Sequence, residues 1–243
     1  MSSLYQRMPN ELRAKIELHG KRVSLVDIAH EALRDAIVTL NLQPAIAVTE
    51  VQLANELGVS RSILREAVQR LQADGLVLRE GNGRLRISPM SSKDIHDLYA
   101  VRSAMEQVAV VEVISRITPE QVESLDETLN QLQRVKELGS PGQIAKAGGA
   151  LHHLILEIAD NAIINQVMDV LRLRIERYRN LSSSSIERPS NSLREHQRIV
   201  EAIRCRDIEA ARKAIAIHIE ASERAALSAF KNNARHAEVS TEA

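Results

Sequence analysis

LANELGVSRSILREAVQRLQADGL, residues Leu53–Leu76, decides the fold. Leu53, Ala54 and Leu57 fall on one face of a short helix, and Thr49 followed three residues later by Gln52 opens that helix as a capping box. Gly58, free to take positive φ, closes it. Ser60 can cap a second helix that carries Ile63, Leu64, Ala67, Val68 and Leu71 inward and stops near Gly75. Upstream, Leu25, Ile28, Ala29, Ala32, Leu33, Ala36, Ile37 and Leu40 recur at helical spacing and end before Pro44. Downstream, Leu76–Arg79 and Arg84–Ser88 read as two strands around Gly81-Asn82-Gly83. Helix, helix, turn, helix, hairpin is the winged helix-turn-helix plan, assigned to residues 24–89.

Beyond Pro89 the strand signal stops and long amphipathic helices follow, at about 92–117, 119–138, 143–159, 161–181, 192–205 and 207–231. Thr118, Pro119 and Gln121 form a capping box with proline at the first helical position. Gly139–Gly142 and Ser182–Ser192 read as loops by composition. The fold class is therefore mainly α. A winged domain with a small β-hairpin precedes an all-α antiparallel bundle over residues 90–231, with a flexible arm at 1–23 and a disordered tail at 232–243.

Composition narrows the function. Of 243 residues, 44% are apolar and 26% charged, enough for packed cores and too apolar for a disordered chain. Aromatics are only 2%, so stacking platforms for single-stranded nucleic acid are excluded. The single Cys205 permits no internal disulfide, and no apolar run reaches the roughly 18 residues of a membrane span, so a cytoplasmic chain with no membrane partner is expected. The net charge of zero argues against a protein that coats DNA regardless of sequence. Locally, Ser60–Arg86 holds six Arg against three acids.

That basic stretch carries the candidate DNA-reading element. In a helix-turn-helix the second helix enters the major groove by its N-terminal end, where free amides and the helix dipole also favour phosphate. Ser60, Arg61, Ser62 and Arg65 occupy that end, with Arg61 and Arg65 one turn apart and opposite the apolar face. A guanidinium can pair with guanine O6 and N7, discriminating by about 1–3 kcal/mol, and the serines can donate to phosphate. Arg70 and Arg84 are read as backbone contacts. The plainer reading makes Arg61 and Arg65 a solvated face paired with Glu66 and Asp74.

Helical phase sorts the histidines of the second domain. His152 shares its face with Gly148, Ile155, Leu156 and Ala159, whereas His153 lies with Lys146, Glu157 and Asp160. His196 and His218 also fall on apolar stripes, as does Arg102 among Ile95, Leu98, Tyr99 and Met105. One reading makes His152, His196 and His218 ligands of a divalent metal, with Arg102 and Glu106 at an effector carboxylate. The other makes them satisfied core histidines, with Arg102 paired to Glu106 one turn on. A three-His metal hydrolase is the enzymatic alternative; it needs a general base, and Glu195 qualifies only if it turns inward.

The Leu53–Leu76 run resembles the signature of the GntR family of bacterial transcription regulators, with a dense match from about Ala29 to Pro89. The rest resembles the FCD effector domain of the FadR-type subfamily through DIHDLYAVRSAME (Asp94–Glu106), LHHLILEIADN (Leu151–Asn161) and EHQRIVEAI (Glu195–Ile203). The resemblance implies a non-enzymatic regulator, most simply a repressor. It implies a homodimer on an inverted-repeat operator, with a small organic acid in the helical domain altering affinity for DNA. It implies DNA contact at Arg61 and Arg65 and wing contact near Gly83 and Arg84. It also implies metal ligation by His152, His196 and His218. Two departures matter. Val51 stands where some members carry a further reading Arg, and Gly148 stands where the family has an Asp ligand. An N3 site lacking that hard oxygen favours Zn or Ni over Mg or Mn.

Overall fold

The computed structural model describes residues 24–81, 83–139, 141–182 and 188–239. The expected arm at 1–23, Asn82 of the turn, and residues 140, 183–187 and 240–243 lie outside them. The chain forms two units that meet between Met90 and Ser91.

The first unit holds α1 (Leu25–Val38), β1 (Ala47–Val48), α2 (Glu50–Leu57), α3 (Arg61–Ala73), β2 (Val77–Arg79) and β3 (Leu85–Ile87). Each helix starts where its cap dictates. Ser24 Oγ accepts from Val26, Thr49 and Gln52 satisfy each other's backbone amides, and Ser60 Oγ accepts from Ile63. Gly58, at φ 65°, turns the chain from α2 into α3. Leu33, Ile37, Leu57, Leu64, Val68, Leu71, Leu76 and Leu85 are almost wholly buried, each contributing about 1.5–3 kcal/mol relative to exposure.

The expected hairpin is a three-stranded antiparallel sheet in the order β1-β3-β2. β1 pairs Ala47 with Arg86 and Val48 with Leu85. Two residues are too few for an alternating pattern, so pairing with β3 rather than local sequence makes this strand.

The second unit holds α4 (Ser92–Arg116), α5 (Pro119–Leu138), α6 (Pro141–Ala159), α7 (Ala162–Ser182), α8 (Arg188–Arg204) and α9 (Ile208–Val239). α4 is central, packing against α6, α7, α8 and α9. Its buried set, Ile95, Leu98, Tyr99, Arg102, Glu106, Ala109, Val110 and Val113, recurs every three or four residues. Three boundaries differ from expectation. α6 and α8 begin earlier, because Pro141 and Pro189 sit in first turns, where a missing N–H costs nothing. α9 continues past residue 231, with Ala234, Ala237 and Glu238 extending it and no Gly or Pro to stop it. The expected tail is shortened accordingly. Among the described residues no helix is long and apolar enough to cross a membrane.

Candidate functional site

The N-terminus of α3 is presented to solvent. Ser60, Arg61, Ser62 and Arg65 are exposed, while Leu64, Ala67 and Val68 on the opposite side are fully buried. Ser60 Oγ and Ser62 Oγ lie 2.9 Å apart at the helix mouth. Arg61 forms no ion pair among the described residues. Arg65 is held only loosely, its Nη2 3.5 Å from Glu50 Oε2 with 62% of its side chain exposed.

The other cations of the basic stretch are braced. Arg79 donates to Glu50 at 2.7 Å, and Arg86 donates to Glu80 and the Ala45 carbonyl. Arg70, expected at phosphate, is 44% exposed and donates to Asp27 at 2.7 Å and Glu66 at 3.0 Å. Glu66 is thus engaged by Arg70, and Asp74 meets His30 at 3.1 Å, so neither expected acid holds Arg61 or Arg65. Glu50 was not singled out in the sequence; its signal was an acid at the first position of a capped helix. The Arg79 hydrogen bond holds its carboxyl below the usual range. In the wing, Gly83 takes φ 79° and Arg84 is exposed. Val51 is also exposed.

In the second unit, α6, α8 and α9 bring His152, His196 and His218 together, all buried. His152 Nε2 lies 3.1 Å from His196 Nε2 and 3.0 Å from His218 Nε2. His153 points out, 59% exposed. Two carboxylates flank the cluster: Glu106 Oε2 is 2.6 Å from His152 Nδ1, and Glu195 Oε2 is 2.8 Å from His218 Nδ1. A carboxylate takes the proton-bearing nitrogen of a neutral imidazole, so both Nε2 atoms present lone pairs. Two lone pairs at 3.0 Å cannot hydrogen-bond to each other. They call for a cation between them, and burial lowers the His152 pKa, disfavouring a proton in that role. The donor set fits a borderline metal ion with nitrogen ligands. At Gly148, a Cβ would come within 3.5 Å of His196 Cε1, so the missing carboxylate position adjoins the cluster.

A cavity of about 180 Å³ opens beside His152, walled by Arg102, Glu106, Leu156, Met168, Ile175 and Arg179. Arg102 is 1% exposed. Its Nε donates to Glu106 Oε1 at 2.7 Å, and its Nη2 is buried without a hydrogen-bond partner among the described residues. Glu106 therefore has both oxygens engaged, one by Arg102 and one by His152, and its carboxyl is held far below the usual range despite burial. It positions both side chains through these two hydrogen bonds. Arg179 was missed by sequence reading, because its neighbours Arg172 and Glu176 look like an ordinary solvated face.

These features have counterparts in known proteins. Residues 25–87 match the family of bacterial regulatory proteins, gntR family, and residues 97–221 match the FCD domain. An uncharacterized HTH-type transcriptional regulator of Bacillus subtilis, YdhC, is 28% identical over 190 residues, covering 78% of this chain and 85% of that one. The transcriptional repressor RspR of Escherichia coli K12 is 25% identical over 191 residues, covering 79% and 84%. Among solved structures, a GntR regulator from Rhodococcus sp. RHA1 aligns with TM-score 0.72 at 22% identity, covering 85% of this chain and 99% of that one. E. coli McbR/YncC aligns with TM-score 0.70 at 20% identity, covering 87% and 99%. The relatives are transcription regulators, not enzymes, which removes the hydrolase alternative; Glu195, its candidate base, does turn inward but is engaged by His218. With an amino-terminal winged helix-turn-helix and a carboxy-terminal helical domain both matched, this chain belongs to the GntR family of bacterial transcription regulators and carries an FCD effector domain.

Proposed function

We propose that the protein is a homodimeric repressor that reads an inverted-repeat operator through Ser60, Arg61, Ser62 and Arg65 and releases it when a small carboxylate binds the helical domain. The observation that carries this reading is the asymmetry of α3: its inner face is sealed by Leu64, Ala67 and Val68, while Arg61, with no ion pair among the described residues, stands at the exposed N-terminus. Arg61 and Arg65 reach base edges, Ser60 and Ser62 donate to phosphate, and Gly83 lets the wing bring Arg84 to the backbone. Arg70 braces α3 to α1 through Asp27.

In the helical domain His152, His196 and His218 would hold a divalent ion, Zn or Ni by donor type. When bound, it supplies a Lewis-acid anchor for an effector oxygen. Arg102, kept in place by Glu106, offers its remaining nitrogen to the same acid. A 10- to 100-fold change in operator affinity needs about 1.4–2.7 kcal/mol of differential binding.

Anisotropy titration of an operator duplex selected from random sequence tests the reading element. Arg61→Ala and Arg65→Ala should each weaken specific binding by about 1–3 kcal/mol with helicity and dimer mass unchanged. Specific binding that survives both substitutions overturns the assignment. Elemental analysis of dialysed protein tests the metal: a metal-free protein whose ligand response tolerates His196→Ala excludes it.

A further inference from the structure

Arg179 lies in the cavity wall with its guanidinium against α6, one turn before His152. A Cβ on Gly149 would collide with that guanidinium, so the absence of a side chain at Gly149 makes room for it. Among the described residues no carboxylate pairs with Arg179. Glu176, one turn earlier on α7, turns to Arg172 at 3.9 Å, and Glu157 at the cavity mouth meets His153 at 3.4 Å. Asp169, also on the wall, is exposed.

The inner cavity therefore holds two guanidinium groups against one carboxylate, Glu106, already shared between Arg102 and His152. Arg102 is buried and Arg179 half-buried, Glu106 and Glu176 offset part of the cost of Arg179, and two guanidinium groups close together repel. Enclosure, and then the charge of Arg102, push the Arg179 pKa down to about 10, which still leaves it charged at neutral pH. Asn165 Oδ1, in the same wall, is buried without a hydrogen-bond partner. A cavity of about 180 Å³ is small beside the roughly 300–1,000 Å³ of drug-sized sites.

We propose that this cavity selects a compact dianion, a short dicarboxylate, with one carboxylate on Arg102 Nη2 beside the histidines and the other on Arg179. The proposal rests on the reading of the helical domain as the site of a small-acid effector, and it adds a specificity-determining residue, Arg179, and a class of ligand. A monocarboxylate can satisfy only one of the two cations. A dicarboxylate satisfies both; Asn165 Oδ1, an acceptor, can meet only a donor on the ligand, such as a hydroxyl between the carboxylates, and not a carboxylate oxygen.

Isothermal titration of the full chain with succinate and with butyrate separates the possibilities, run on chelator-dialysed and on zinc-loaded protein. Succinate should bind about tenfold or more tighter than butyrate. Arg179→Gln should bring succinate to the butyrate level while leaving butyrate unchanged, and Gly149→Ala, which displaces Arg179 without removing its charge, should do the same. Equal affinity for the two acids, or a succinate preference that survives Arg179→Gln, overturns the dianion proposal and leaves the carboxylate site standing. Failure of both acids to bind either preparation overturns the carboxylate site and this proposal together.

Discussion

The winged unit and the helical unit use arginine in opposite surroundings. On the winged unit, Arg65, Arg70, Arg79 and Arg86 lie at the surface, each with an acid beside it, and Arg61 is left over at the end of α3. In the helical unit, Arg102 is buried and Arg179 half-buried in one cavity wall, and among the described residues Glu106 is the carboxylate ion-paired with Arg102 there. Surface cations are cheap to leave unpaired, because water solvates them until a polyanion arrives. Enclosed cations are not, so an incomplete set there marks a place for a small anion. On the proposed function, the same side chain would serve as a nucleic-acid contact in one unit and as an effector contact in the other, decided by solvent access.

The contrast is broken most directly at its carboxylates. Glu106→Gln strands Arg102 in a buried setting and should destabilise the helical unit by about 3–5 kcal/mol in urea unfolding. A cost below about 1 kcal/mol would place Arg102 in an environment no different from the surface. On the winged side, Arg84→Ala should reduce the slope of log affinity against log salt by about 1 without altering sequence preference. Effector binding inside the helical unit should change little over the same salt range, because enclosed charges are poorly screened.

Gly148→Asp sharpens the comparison by adding an anion to the enclosed site. With a Cβ position 3.5 Å from His196 Cε1, the new carboxylate should raise affinity for Mn by about tenfold or more and narrow the preference for Zn, measured by competition titration. The smallest effect belongs to a half-buried acid of the winged unit. Glu50 has its pKa lowered by Arg79 from the ordinary 4.5, so its contribution is complete above about pH 4.5 and is lost as pH falls through the lowered folded value. Glu50→Gln should remove this acid-side loss from the winged unit, worth under about 1 kcal/mol, as read from thermal midpoints between pH 3 and 6.

Much of this was legible in the sequence where the determinants are local. Thr49, Gly58 and Ser60 set the helix ends because capping is a matter of neighbouring residues. The inward His152 and outward His153 follow from helical period alone. What was not legible depends on groups distant in the chain. β1 exists through β3, and the roles of Glu106 and Glu195 appear only when α4 meets α6 and α8 meets α9. Arg179 hid for the same reason: on its own helix it resembles solvated Arg172, and only Gly149, on a different helix, betrays its position.

Glu106 gives one oxygen to Arg102 and the other to His152, which makes it, among the described residues, a bridge between the proposed anion-binding and metal-binding parts of the cavity. Anything that draws Arg102 toward a ligand tugs on the carboxylate that orients His152. Thermodynamic reciprocity then requires that whatever factor the ion adds to acid affinity, the acid adds to ion affinity. A cell short of either would register the shortage of one as a weaker grip on the other, so the protein would behave as a coincidence detector rather than as two independent sensors.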